Sequence, residues 1–326
     1  MSLIYGFATG PDLIRLIVVP VFAWAAIRDI RTRRVPNYTW LPLIAIGLVA
    51  LVWDGVLQVH SHPFEQRLFL IQVFVSLGFV APLGYLFWRI GGFGGADAKA
   101  VITLAIIFPF FPLYVIGDSI LPVVHTALGV FSLTILTNSV LVGLVYPFFL
   151  GARNVLHGHI SRRMFFAKPV PVLSVTTEYG RLLDPNQGLI GQGLDLDALR
   201  MYLEWRGVSF RDLRQDPDRY RHPWPTARNV PGDGGLADKV STDGGVEPAI
   251  NSLDQWSAER FLGEYDAYGT TPKELRRGLE RLVDPTQDTV WITPGIPFIV
   301  PMFVGLLLAI TFGDILFALL GWLGLV

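Results

Sequence analysis

The chain has 326 residues, a formal net charge of −1, 52% hydrophobic residues and no cysteine. Such a balance provides no electrostatic footprint for nucleic acid, and the missing thiols exclude disulfides, thiolate nucleophiles, iron–sulfur clusters and cysteine-based zinc sites. The mean hydropathy of +0.47 comes from long clustered apolar runs, which predicts an all-α polytopic membrane protein.

Taken in chain order, the apolar runs predict six transmembrane helices at roughly 11–28, 38–57, 68–88, 100–117, 121–150 and 296–320, each near the ~20 residues a bilayer requires. The first follows Met1–Gly10, which carries no basic residue, so it is expected to be retained rather than removed as a signal peptide. Arg15 lies near its outer end and is expected to extend its charge to the headgroups. Arg28, Arg31, Arg33 and Arg34 follow the first helix, Arg89 and Lys99 bracket the loop before the fourth, and Arg153, Arg162, Arg163 and Lys168 follow the fifth. Because cytoplasmic loops collect Lys and Arg, the N-terminus is expected outside, residues 151–290 in the cytoplasm and the C-terminus outside. Pro109 and Pro112 in FPFFP predict a kink in the fourth helix, and Asn138 predicts a hydrogen bond between helices.

The organisation expected is a membrane domain over 1–150, a cytoplasmic mixed insertion between helices 5 and 6 over 151–290, and the sixth helix with the C-terminus over 291–326. Residues 169–290 hold 20 acids against 14 bases, which makes the insertion acidic while the membrane-flanking loops are basic. It does not read as one compact unit. Lys168–Tyr179 has the Pro and β-branched content of extended structure, Leu194–Arg206 has helical spacing, and Thr271-Pro-Lys-Glu274 has the N-cap, N1 proline and N3 acid of a capping box. The Gly-, Asp- and Pro-rich stretch 227–253 has too few large apolar residues to offset its ordering entropy and is expected to be a flexible tether.

Two acids stand out by position. Asp29 closes the first helix in RDIRTRRVPN, and Asp97 opens the fourth in GGFGGADAK, so both are expected at one membrane face although 68 residues separate them. An acid at the edge of a membrane helix costs about 2.5–3.5 kcal/mol on insertion scales and marks a functional site by default. A pair at one depth can share a proton, one carboxylate activating water while the other protonates a leaving amine. Gly91, Gly92, Gly94 and Gly95 precede Asp97 and suit the close approach of an extended peptide backbone. Asp97 starts a helix and Asp29 ends one, which favours Asp97 as the ionised member and Asp29 as the protonated one. Asp29 alone would also fit an interfacial acid held by Arg28 or Arg31, and the glycine run would also fit a loose turn.

These residues carry a resemblance. Gly94-Gly95-Ala96-Asp97 looks like the GxGD-type motif of intramembrane aspartyl proteases in an archaeal variant, with a hydrophobic residue in place of the third-position glycine. Asp29 followed by Val35-Pro36-Asn37 resembles the other half of the signature of type IV prepilin and preflagellin peptidases. Gly295-Ile-Pro-Phe298 with Pro301 is similar to their last helix in archaeal members. The resemblance implies an aspartic endopeptidase that cuts the charged leader from prepilin-like or preflagellin precursors, with Asp29 and Asp97 catalytic and Pro36, Asn37, Gly94, Gly95, Ala96 and Lys99 as supporting motif residues. It implies no cofactor and no metal, and its partners are the precursors and the lipid bilayer. The cysteine-rich zinc segment and the methylating activity common in bacterial members are not expected here.

Two other classes compete. A proton- or cation-coupled transporter would use Asp29 and Asp97 as ion sites, yet the acids sit at one interface and no inverted repeat is evident. A membrane-anchored scaffold would leave the glycine-rich Asp97 loop without a use. His157-x-His159 lacks an obvious third metal ligand, and His60 and His62 read as loop residues.

Overall fold

The computed structural model describes residues 3–4, 6–90, 92–184, 193–221, 230–236, 254–295 and 297–325. The chain divides into two compact units, Met1–Val145 with Pro297–Val326, and Tyr146–Ile296.

In the first unit the apolar runs become helices with sharper boundaries than hydropathy predicts. The first run forms α1 (Gly10–Arg15) and α2 (Val18–Thr32), and the second forms a 3₁₀ turn at Asn37–Thr39 followed by α3 (Trp40–Gln58). The third forms α4 (Pro63–Val75) and α5 (Ala81–Arg89), joined by a π-helical turn at Ser76–Val80. The buried Ser76 hydroxyl of that turn donates to the Ala105 carbonyl at 2.6 Å, so at the 2.7 Å contact with Ser132 it is Ser132 that donates.

The fourth run corrects the expectation of a kinked helix reaching residue 117. The helix α6 (Gly95–Ile107) ends before Pro109, and Phe108 leaves helical angles. Two prolines within four residues remove two donors, and the chain turns instead into an antiparallel hairpin of β1 (Tyr114–Ile116) and β2 (Ser119–Leu121), with Tyr114 opposite Leu121. The fifth helix, α7 (Phe131–Leu156), therefore starts about ten residues later than expected. Asn138 on it donates to the Gly313 carbonyl at 2.8 Å and accepts from the Ile315 N–H at 3.1 Å. Asn37–Gln58, Pro63–Arg89 and Phe131–Leu156 are long and apolar enough to cross a membrane, and Ile299–Thr311 is a shorter apolar helix.

Arg15 also departs from expectation. It does not extend outward but is fully buried, with its guanidinium bound to Asp12 at 2.8 Å and to Asp54, its Nε donating to the Ile107 carbonyl at 2.7 Å, and the Phe110 ring 4.8 Å away. Two acids at its own depth outweigh a stretch to the interface. The same contacts fasten α1, α3 and the last residue of α6. Close approach of α3 to α6 needs Gly47, where an added Cβ would lie 2.6 Å from Ile107.

The second unit, Tyr146–Ile296, folds around a single core, which corrects the reading of residues 151–290 as not one compact unit. Lys168–Tyr179 contributes only β3 (Lys168–Pro171) before a 3₁₀ stretch at Val172–Thr177, and β4 (Arg181–Leu182) follows. Asp195 caps α8 (Leu196–Arg206), after which come α9 (Phe210–Gln215), α10 (Pro217–Arg221), α11 (Ala258–Glu264), α12 (Pro272–Val283) and β5 (Thr289–Thr293). Strand β5 lies between β3 and β4, both antiparallel to it, with Val170 opposite Val290 and Leu182 opposite Ile292. Val170, Leu199, Tyr202, Trp205, Phe261, Leu279 and Ile292 share the core, each large side chain contributing about 1.5–3 kcal/mol by burial. Most of the expected tether at 227–253 lies outside the described residues. Its part at 230–236 is held, since the Gly232 N–H donates to Glu204 at 2.9 Å and Arg200 donates to the Gly234 carbonyl.

The capping box reads through to structure unchanged. Thr271 N–H donates to Glu274 Oε2 at 2.8 Å, and the Glu274 N–H donates back to Thr271 Oγ1 at 3.3 Å. Thr271→Ala is expected to cost about 1 kcal/mol, read as lost amide exchange protection in the first turn of α12. Unchanged protection there would show that the box carries no stability.

The chain returns to the first unit in α13 (Ile299–Thr311) and α14 (Ile315–Trp322), so the sixth apolar run is also two helices. The residues of α13 pack on α2.

Candidate active site

Asp29 lies in the last turn of α2, is 7% exposed, and has an Oδ2 atom buried without a hydrogen-bond partner among the described residues. The Ile299 N–H, at the first residue of α13, reaches its carboxyl group. Asp29 thus stands between the C-terminus of its own helix and the N-terminus of another, which have opposite partial charges. The two helix ends therefore act on Asp29 in opposite directions.

Asp97 is the third residue of α6, half-buried, and its Oδ2 accepts the Gly94 N–H at 3.0 Å. The carboxylate thereby caps the helix that carries it, and its orientation is fixed by a bond three residues back. Helix α6 packs between α3 and α5. The two acids, separated by 68 residues in the chain, stand within electrostatic reach of each other, and Arg33 stands within reach of both.

The other residues of the two motifs lie in the loop after α2 and at the start of α6. Pro36 caps the 3₁₀ turn, and Asn37, its first residue, accepts a hydrogen bond from Lys99 Nζ at 2.5 Å, which joins the loop after α2 to the first turns of α6. Gly95 begins α6 beside the Trp88 indole, and Ala96 packs against the membrane-unit core. Gly94 has an unremarkable φ of −67°, so its smallness matters more than its freedom. A Cβ added there would lie 3.0 Å from Asp97 Oδ2, tighter than ordinary contact. Gly94→Ala should therefore displace the carboxylate with the chain still folded, checked by the infrared band of the Asp97 carboxyl alongside melting temperature. A carboxyl band unchanged in that variant would mean that the added methyl is accommodated without moving Asp97.

Three residues of the site were not singled out in the sequence. Phe93 packs its ring 4.9 Å from Phe298 and 5.0 Å from Phe87, an aromatic wall on the loop that leads to Asp97. Ile299 contributes a backbone group, which no side-chain pattern reveals. Arg33 is one of four arginines in seven residues, and nothing in the sequence separates it from the others. Elsewhere, His157 Nδ1 contacts the Arg153 carbonyl at 2.8 Å and His159 packs edge-on to Trp291. Among the described residues no three His, Cys, Asp or Glu side chains group as a metal site.

A family model for the type IV leader peptidase family matches residues 16–148, which include both acids, and one for the archaeal peptidase A24 C-terminus, type II, matches residues 241–315. The part of the chain that carries both acids is thus similar to the type IV leader peptidase family. It is 26% identical over 136 residues to a preflagellin peptidase of Methanocaldococcus jannaschii, covering 41% of this chain and 54% of that protein. Identity to the preflagellin peptidase of Methanococcus voltae is 27% over 182 residues, 54% of this chain and 72% of the relative. Prepilin peptidase EppA of Methanothermobacter thermautotrophicus is 31% identical over 134 residues, 39% of this chain and 33% of that protein. The chain thus spans about half the length of the first of these relatives and a third of the last. The transporter reading gains no support from these likenesses, since all three are peptidases by name.

Proposed function

We propose that this chain is a type IV leader peptidase, an aspartic endopeptidase that removes the charged leader from prepilin-like or preflagellin precursors at the cytoplasmic face of the membrane. The observation that carries the reading is the meeting of Asp29 and Asp97, brought from two helices into electrostatic reach of each other. One acid, as carboxylate, takes a proton from water as the water oxygen attacks the scissile carbonyl. The other, as carboxylic acid, gives its proton to the carbonyl oxygen. The tetrahedral intermediate then collapses with breakage of the C–N bond, the first acid passing the proton it gained to the leaving amine while the second takes a proton back from the hydroxyl that becomes the new carbonyl. The unpartnered Oδ2 of Asp29 suits the proton-accepting contact with water.

The proposed arrangement in the bilayer has six crossings. The first is made by α1 with α2, the second by α3, the third by α4 with α5, the fourth by α6 with the irregular residues after it, the fifth by α7 and the sixth by α13 with α14. The basic loops then lie inside with residues 151–290, and the N-terminus lies outside. Membranes carrying the chain, incubated with a precursor that has a basic leader and an apolar helix, should produce a small downward gel shift. Failure to cut any such precursor with correctly inserted protein would overturn the reading.

A further inference from the structure

In the basic loop after α2, one arginine differs from its neighbours in backbone and in surroundings. Arg33 has φ 56° and ψ 20°, the left-handed position that usually goes to glycine after a helix. Its N–H closes α2 by donating to the Asp29 carbonyl at 3.0 Å, so its backbone is tied to the residue that supplies half of the pair. Its Nε is shielded from solvent. Glycine would make the same turn with less strain, so a large cation at this position has a use that capping does not explain.

Several other cations near the pair have contacts of their own or face solvent. On α2, Arg28 lies over the Trp24 ring at 5.5 Å and donates to the Arg34 carbonyl at 3.2 Å, and Arg31 is exposed. On α6, Lys99 is bound to Asn37, on α5 Arg89 is exposed, and Ile299–Thr311 of α13 has no titratable side chain. The charge of Arg33 lies within electrostatic reach of both Asp29 and Asp97. Two adjacent carboxylates repel, and a fixed cation facing both lowers the cost of ionising one beside the other. A guanidinium remains charged at any working pH.

We propose that Arg33 is a positioning residue of the acid pair, its guanidinium held by the left-handed turn so that Asp29 and Asp97 can stand together with one shared proton. The inference rests on the reading of the two acids as a catalytic pair.

The test uses the full chain in lipid nanodiscs, comparing wild type with Arg33→Gln, Arg33→Gly and Arg33→Lys. Infrared titration follows the protonated carboxyl band, assigned with Asp29→Asn and Asp97→Asn, and precursor cleavage is measured in parallel. Loss of the charge in the Gln and Gly variants should raise the midpoint of the assigned band by about one pH unit or more and slow cleavage about tenfold at the wild-type optimum. Arg33→Lys should restore the midpoint and part of the rate. Arg33→Gly separates charge from fold, because it relaxes the turn and should melt no lower than wild type while still showing the shifted titration. Midpoints in the Gln and Gly variants equal to wild type would overturn the proposal, whether or not a precursor is cut. A shifted band together with a wild type that cleaves nothing would leave the charge placement standing and remove the peptidase reading.

Discussion

Asp29→Asn and Asp97→Asn should each leave an inserted, folded protein whose cleavage rate falls by about 10²–10⁴-fold. Both acids are needed because one carboxyl group cannot remove a proton from water and supply a different proton to the substrate in the same step. Asparagine preserves the size of the side chain and one acceptor oxygen, so the loss should be chemical. At residue 97 that oxygen can still accept the Gly94 N–H that caps α6, and at residue 29 it can still face the Ile299 N–H. Single-turnover cleavage, with melting temperature as the control for folding, checks the expectation. Substantial cleavage by either variant would remove the pair from the mechanism. Gly94→Ala should lie between the extremes, because it moves a carboxylate without deleting it.

The acids were legible in the sequence because each sits where an apolar run meets a basic or glycine-rich loop, and a charge in that position is expensive. The Thr271 capping box was legible for a related reason, since all its partners lie within four residues. What sequence could not supply was the partner at long range. β5 finds β3 from more than a hundred residues away, and that pairing turns the insertion into a single core. The same limit hid the N-terminus of α13 beside Asp29. Hydropathy placed that helix in the membrane, but not its first N–H group against an acid on α2.

Boundaries failed where irregular backbone is itself apolar. Residues 108–123 are rich in Phe, Leu, Val and Ile, so a hydropathy window runs through them as if they were helical. Pro109, Pro112 and Pro122 argue against that continuity, and the structure follows the prolines. In the Arg28–Arg34 loop the limit is different. Four arginines are equivalent as letters, and the left-handed turn at Arg33 distinguishes one of them only once the chain is folded.

Arg15→Met should destabilise the membrane unit by about 3–5 kcal/mol, a fall on the order of 10 °C in melting temperature. Asp12 and Asp54 are 4% and 2% exposed, so removal of the guanidinium leaves two acids out of water with no cation between them. The substitution also strips the Ile107 carbonyl of its donor where α6 has just ended. Asp12 keeps other partners, accepting from the Thr9 hydroxyl at 2.7 Å and from the Leu113 N–H at 3.2 Å, whereas Asp54 depends on Arg15. Arg15→Met combined with Asp54→Leu should therefore recover part of the lost stability, since it removes the acid left with fewest partners. The clamp grips the far end of α6, ten residues from Asp97 and so about 15 Å along the helix. Molecules that remain folded should accordingly keep most of their cleavage rate, so this variant loses stability and keeps catalysis, the reverse of Gly94→Ala. A melting temperature for Arg15→Met within a few degrees of wild type would show that the buried charges contribute little to holding α1, α3 and α6 together.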